Sequence, residues 1–170
     1  MNYDEIKALA LSYADRKDAE VSNNIDNFLR MVESRANRFL KTMDMSTRSI
    51  LLMEEGQEYF PLPSDFNGLR DIEIQPVGSI ARCTLKYMSP EQLNNEASGS
   101  SGSEIYYTLI ADQIQLVPTQ PAGTTLEIVY YRRLIPLTSI SPNNWMSNIH
   151  PDCYNAGLMV EISAFVKDAM

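Results

Sequence analysis

The chain opens with a stretch in which apolar residues recur every three or four positions, the spacing of one face of an α-helix. Asn2 can cap this first helix, and Asp4 and Glu5 in its first turn face the positive end of the helix dipole. The pattern therefore predicts a helix near the N-terminus, with an apolar stripe formed by Ile6, Leu9, Ala10 and Tyr13.

A second helix is predicted after a polar connector at residues 15–20, and Ser22, Asn23 or Asn24 can cap it. Its apolar stripe is long, and consists of Ile25, Phe28, Leu29, Val32, Ala36, Phe39, Leu40 and Met43. The other side of this helix carries cations that form either a solvated face or a docking patch: Arg30, Arg35, Arg38 and Lys41.

From Ile50 onward the hydrophobic period changes to two, which is typical of β-strands. Strands are predicted at residues 49–53, 58–60, 69–75 and 81–87. Ser89 and Pro90 then fit a helix cap followed by proline at the first helical position, which predicts a short helical turn at residues 90–95.

The second half of the β region is predicted to be a meander of three antiparallel strands at residues 105–110, 114–116 and 126–131. A low-complexity run at residues 97–103 precedes it and indicates an exposed loop tip. The last strand carries large apolar groups on both faces, so we expect another subunit to cover one of them. The two faces are Leu126, Ile128 and Tyr130, and Glu127, Val129 and Tyr131.

Residues 134–150 form a long connection back to helical sequence, and Trp145 within it is either an anchor on the core or an interface hot spot. Pro151 and Asp152 open a last helix, with the stripe Tyr154, Leu158, Ile162, Phe165 and Ala169. The sequence therefore predicts an α+β fold. Residues 1–48 and 146–170 form a helical bundle, and residues 49–145 form an inserted antiparallel β-sheet or sandwich domain with its connecting loop.

The 170 residues include 22 acids and 14 bases, a net charge of −8. The surplus is uneven, because residues 1–50 carry 8 acids and 8 bases whereas residues 51–140 carry 11 acids and 5 bases. An acidic surface of this kind repels free nucleic acid, although it also serves ordinary solubility. No apolar run reaches the ~20 residues needed to span a bilayer, and synthesis in a reducing cytoplasm is expected.

The sequence offers little catalytic chemistry. Its single histidine, His150, precedes Pro151, where a polar side chain most often caps a helix. Cys153 lies three residues further on, but two groups do not make a metal site, and Cys83 has no histidine nearby. We therefore predict no catalytic, cofactor-binding or metal-binding residues, and no enzyme activity. A hydrolase that uses His150 is the weakest alternative.

Several segments resemble, in order along nearly the whole chain, tailed-bacteriophage head–tail adaptor (connector) proteins of the tail tubular protein A type. These segments are YDEIKAL at residues 3–9, FLRMVESRANRFL at 28–40, YFPLPSDF at 59–66, YMSPEQL at 87–93, LEIVYYRR at 126–133, NW at 144–145 and HPDCY at 150–154.

The resemblance implies a structural virion protein that forms a ring of twelve copies below the portal and receives the tail or nozzle beneath. DNA would pass through the lumen during ejection without specific binding. Adaptors of this kind commonly reach into the portal with a C-terminal segment.

Partner contacts are expected on the cationic side of the second helix, on the last strand and its neighbours, and at the large aromatic of the return connection. The candidate interface residues are Arg30, Arg35, Arg38, Tyr106, Val129, Tyr131, Arg132, Arg133 and Trp145. The alternative function is a small ligand- or carbohydrate-binding β module on a helical base, with an aromatic site formed by Tyr106, Tyr107, Tyr130 and Tyr131.

Overall fold

The computed structural model describes residues 1–15, 19–97 and 104–168. The chain divides into two compact units. Met1–Asp44 and Arg133–Met170 form a helical unit, and Met45–Arg132 form a β unit. The predicted α+β class is confirmed. Most of the predicted loop tip, residues 98–103, and the predicted stripe residue Ala169 lie outside the described residues.

The helices are α1 (Tyr3–Tyr13), α2 (Ala19–Phe39), α3 (Pro90–Ala97), α4 (Trp145–Ile149) and α5 (Pro151–Asp168). The strands are β1 (Ser46–Leu52), β2 (Tyr59–Pro61), β3 (Phe66–Gln75), β4 (Cys83–Thr84), β5 (Lys86–Tyr87), β6 (Tyr106–Ile110), β7 (Gln113–Val117) and β8 (Thr125–Arg132).

Helix α5 forms the centre of the helical unit and packs against α1, α2 and α4. The predicted stripes of α1 and α5 supply Ile6, Ala10, Tyr154, Leu158 and Ile162 to one buried core. The predicted cap of α1 is also confirmed. The Glu5 backbone N–H donates to Asn2 Oδ1 at 2.8 Å, and the Asn2 backbone N–H donates to Glu5 Oε2 at 2.9 Å.

Helix α2 starts earlier than predicted, so the three proposed caps lie inside it. Val21 is buried one turn before Ile25, which extends the apolar stripe toward the N-terminus, and the Asn24 side chain bonds the Glu20 carbonyl within the helix. At the other end the predicted stripe is wrong for Phe39 and Met43, which are 75% and 77% exposed, whereas Leu40 packs against the helical core. The helix ends at Phe39, and Met45 beyond it is buried.

The β unit holds two four-stranded sheets that share one hydrophobic core. The first has the strand order β1-β8-β3-β4 and the second β2-β7-β6-β5. All pairs are antiparallel except β5 with β6, which is parallel and corrects the purely antiparallel prediction. Alternate residues of both sheets meet in the core, among them Ile72, Ile74, Ile114, Leu116, Leu126 and Ile128.

The predicted meander is wrong in its last step. Strands β6 and β7 form an antiparallel hairpin, but β8 leaves for the other sheet and pairs with β1 and β3. The connection at residues 118–124 thus passes from one sheet to the other, and strands β7 and β8 fill the same core from opposite sides. The strand predicted at 81–87 is likewise divided between the two sheets. Leu85 turns into the core and separates β4, in the first sheet, from β5, in the second.

The first and last strands of the β unit are neighbours. Strand β1 pairs with β8 along its whole length, from Ser46 opposite Tyr131 to Leu52 opposite Thr125. The chain therefore enters and leaves this unit at adjacent positions of one antiparallel ladder.

The return connection belongs with the helices, although the prediction placed residues up to 145 with the β insert. Leu134 and Leu137 are buried in the helical core, and their backbone N–H groups donate to Asn37 Oδ1 and Glu33 Oε1. The connection also ends in a short helix, α4, that the sequence pattern did not indicate.

Helices α2 and α5 approach closely at Gly157. A Cβ atom at this position would lie 2.7 Å from Val32 Cγ1 and 2.9 Å from Val32 Cγ2. Because Val32 is itself buried and β-branched, it has little freedom to give way. Glycine is therefore required by packing, although its conformational freedom disfavours it within a helix.

We expect Gly157→Ala to lower the free energy of unfolding by about 1–3 kcal/mol through overpacking. The sign of this change in unfolding free energy is informative, because replacing glycine with alanine at an open helical site stabilises a protein by about 1 kcal/mol. Urea denaturation measures the effect, and Ser163→Ala on the exposed side of α5 is the control, with a change within about 0.5 kcal/mol. A Gly157→Ala protein more stable than wild type would contradict the close approach.

Candidate functional site

The predicted interface residues fall into two groups, one on each unit. Arg30, Arg35 and Arg38 lie on α2 of the helical unit, which also holds Arg133 and Trp145. Tyr106 lies on β6, and Val129, Tyr131 and Arg132 lie on β8. Whether these residues contact partners stays a prediction, and their surroundings are described unit by unit.

The three arginines of α2 line one groove of about 700 Å³ between α2 and α5. Its walls include Met31, which is 52% exposed, and its apolar side is formed by Phe28 and Phe165, whose ring centroids are 5.4 Å apart. The groove thus combines an apolar floor with a cationic wall, which suits an occupant that has both apolar and acidic groups.

The groove keeps part of its positive charge uncompensated. Arg35 forms an ion pair with Glu161 across the groove. Within the described residues, neither Arg30 nor Arg38 forms an ion pair, although the Arg38 guanidinium lies 6.0 Å from the centroid of the Phe39 ring. Arg38 is therefore available to an external anionic group, and Arg30, which acts electrostatically on Asp26 and Glu33, keeps an exposed side chain.

The outer face of the first sheet pairs its acidic side chains with arginines. Glu127 is only 8% exposed, because Arg48 and Arg82 cover its carboxylate at 2.9 and 2.8 Å. Arg82 also contacts Glu73 at 3.2 Å, so these acids are neutralised locally and do not form an open acidic face. These side chains meet because β1, β8 and β3 are neighbours in the sheet and β4 adds the far edge.

The most exposed apolar groups of this sheet were missed by the prediction. Ile50 and Leu52 alternate with half-buried residues along β1, an edge strand, and point to the exposed face. Val129 and Tyr131, which were predicted to be open to a partner, are half-buried. The available signal was the continuous apolar run at residues 50–53, because successive residues of a strand point to opposite faces and such a run places apolar groups on both.

The four tyrosines of the alternative binding site do not form one platform. Tyr106 and Tyr107 lie in the second sheet, whereas Tyr130 and Tyr131 lie in the first. Tyr130 is buried and donates to Asp65 Oδ1 at 2.8 Å, and burial together with this bond raises the pKa of Tyr130 to about 12. No concave aromatic surface results from these four residues, so the structure does not favour a carbohydrate site.

Trp145 is half-buried and packs against the helical core, which supports its prediction as an anchor. The His150 ring lies edge-on to it, with centroids 6.4 Å apart. The expected side-chain cap at His150 is wrong, because its backbone carbonyl accepts from the Cys153 N–H and, within the described residues, its ring makes no hydrogen bond. Residues 1–15, 19–97 and 104–168 contain no group of three or more metal-ligating side chains.

A buried hydrogen-bond network positions the return connection beside Trp145. Glu33 of α2 is only 5% exposed, and its Oε1 accepts from the Leu137 N–H at 2.8 Å and from the Tyr154 hydroxyl at 3.0 Å. Asn144 Nδ2 donates to the Tyr154 hydroxyl and to the Ile135 carbonyl. The network joins α2, the connection and α5 through side chains that sequence reasoning did not select.

Titration of this network follows from its burial. Burial raises the pKa of the Glu33 carboxyl above its ordinary value of 4.5, against the lowering effect of the Leu137 N–H and the Tyr154 hydroxyl. Burial and the neighbouring Glu33 likewise raise the pKa of Tyr154, so this phenol stays protonated as a donor.

The described helices include none long and apolar enough for a membrane span.

The SU10 adaptor protein family matches residues 1–170, and the chain belongs to this family. It is a phage head–tail adaptor with a structural role, and the predicted resemblance to adaptor proteins is confirmed at this level. The family points to a virion component that interacts with portal and tail proteins, and a structural adaptor family is not typically enzymatic. No curated protein matches the chain.

We expect Glu33→Gln to change the pH dependence of stability. The folded-state pKa of Glu33 lies above its unfolded-state pKa, so the unfolded chain releases the proton first and the unfolding free energy falls as pH rises between the two values. Glutamine keeps the acceptor oxygen but does not titrate. The unfolding free energy of the variant relative to wild type should therefore rise with pH above about 4.

Urea denaturation at a series of pH values measures this difference. Glu91→Gln is the matched control, because it makes the same change at an exposed acid of α3. A difference between Glu33→Gln and wild type that is independent of pH would show that Glu33 titrates normally.

Proposed function

We propose that this chain is the subunit of a ring, of the tail tubular protein A type, that joins the portal of a phage capsid to the tail or nozzle and lines the DNA passage. The ring contains twelve copies, is made from chains synthesised in the host cytoplasm, and forms at the head–tail interface of the virion. The observation that carries the proposal is the family match over the whole chain. The ordered motifs at residues 3–9, 28–40 and 59–66 support it.

The charge of the β unit supports a passage that does not retain DNA. Residues 45–132 carry 11 acids and 5 bases, a net charge of −6, whereas the other 82 residues carry 11 acids and 9 bases. Phosphate contacts by basic side chains supply most non-specific affinity for DNA. A wall with an acid surplus therefore lets the duplex slide during ejection.

Both units also offer surfaces suited to permanent contacts. The helical unit has the arginine-lined groove, and the β unit exposes Ile50 and Leu52 on an edge strand. A closed ring joins one patch to a different patch on the next copy, so each subunit needs two unlike surfaces. Obligate interfaces of this kind bury on the order of 2,000–5,000 Å².

Assembly with the portal tests the ring. Native mass spectrometry of the purified chain with and without the portal protein of its own phage should show a complex of twelve copies on the portal. Heat-denatured chain is the negative control. A folded chain that stays unassociated at every ratio of chain to portal would exclude the proposed role.

The DNA prediction is tested separately by fluorescence anisotropy with a labelled duplex. At physiological salt we expect no binding tighter than about 10⁻⁴ M, the weak limit of ordinary non-specific affinity. Micromolar binding that weakens steeply with added salt would contradict a passage that repels the duplex.

A further inference from the structure

The turn between β1 and β2 presents two adjacent acids without local partners. Glu54 and Glu55 are exposed, and within the described part of the chain neither carboxylate makes a hydrogen bond or ion pair. Three other acids of the β unit are engaged, since Glu58 accepts from Gln115, Asp65 from Tyr130 and Glu104 from Tyr106. Leu52, which is 71% exposed, directly precedes this pair at the end of β1.

The backbone of this turn is well anchored. The Gln57 N–H donates to the Glu54 carbonyl at 3.2 Å, and Gln57 Oε1 accepts from the Glu54 N–H at 3.1 Å. Met53 exchanges backbone bonds of 2.9 Å with Thr124 and Gly123 on the neighbouring turn. Gly56 supplies the left-handed conformation, with φ of +74°, that closes the turn. The two carboxylates therefore stand on a fixed support, which reduces the entropy lost on binding.

The arginine-lined groove of the helical unit is complementary to this turn. It offers the two cations without ion pairs, Arg30 and Arg38, beside the exposed Met31. The turn offers two carboxylates beside an exposed leucine. The charges of one surface are thus opposite to those of the other, and each surface also has an exposed apolar side chain. The two surfaces belong to different units of the chain. Such unlike surfaces are what a contact repeated around a ring requires.

We propose that the Glu54–Glu55 turn of one copy docks in the groove between α2 and α5 of the neighbouring copy. The carboxylates bind Arg30 and Arg38, and Leu52 contacts Met31. This docking rests on the ring proposed above and names the surfaces that join its subunits. The charge balance favours a second copy as the occupant, because the β unit holds the surplus of acids and the groove holds a surplus of cations.

Charge reversal on each side tests the contact. One variant carries Glu54→Arg and Glu55→Arg, and the other carries Arg30→Glu and Arg38→Glu. Each alone places like charges together, and we expect each to weaken assembly on the portal by about 100-fold or more. An equimolar mixture of the two variants should restore assembly. In a ring where the two variants alternate, every turn meets a groove of opposite charge. All four positions are exposed, so circular dichroism should report an unchanged fold.

The matched control is the double variant Glu91→Arg and Asp112→Arg, which makes the same change in net charge at exposed acids of the β unit away from this turn. It should assemble as wild type does. Assembly by wild type with no loss in the reversed variants would overturn the docking while leaving the ring intact. Loss in both variants without rescue by mixing would also overturn it, since the groove would then serve another partner such as the portal.

A second measurement tests proximity directly. On a background of Cys83→Ser and Cys153→Ser, copies with Glu55→Cys are mixed with copies carrying Met31→Cys and oxidised in the presence of portal. We expect a disulfide between residues 55 and 31 of different copies, and none when Glu91→Cys replaces Glu55→Cys. Absence of the 55–31 cross-link in assembled rings would overturn the docking. Failure of wild type to assemble would count against the ring itself.

Discussion

A buried carboxylate holds the helical unit together at the point where the chain returns from its insert. Glu33 accepts a backbone N–H from Leu137 and the hydroxyl of Tyr154, so one side chain of α2 fixes both the connection and α5. The remaining polar contacts follow from this arrangement, with Asn37 bonding Leu134 and Asn144 bonding Tyr154. Without them, buried N–H and carbonyl groups of an irregular segment would lose their partners at a cost of about 1–3 kcal/mol each.

Local signals in the sequence were sufficient for most element types, though not for the short helix α4, and for several boundaries. The Asn2–Glu5 capping box, proline at the start of α3 and α5, and the alternation along β3 and β8 each act within a few residues. Such features are predictable because a cap or a strand face depends on neighbouring positions alone. Family membership was also accessible, since the ordered motifs span nearly the whole chain.

Long-range partners were not predictable from the same signals. An alternating strand has the same pattern whichever sheet it joins, so β8 could not be assigned to β1 and β3 instead of β7. The ion pairs of Glu127 were not predicted, because the arginines that cover it come from β1 and from the β3–β4 connection. Glu33 lies four residues after Leu29 and therefore on the buried arc of α2, but its charge argued for exposure.

The pairing of β1 with β8 places the two chain ends of the β unit side by side. Because Ser46 lies opposite Tyr131, the two ends of Met45–Arg132 are separated by about the width of one antiparallel pair, some 5 Å. A segment whose first and last residues are this close can be exchanged between genes as a whole. Any replacement with equally close ends can be joined to the same two flanking residues of the helical unit. Recombination can then vary the inserted module among phages while the helical scaffold keeps its own core.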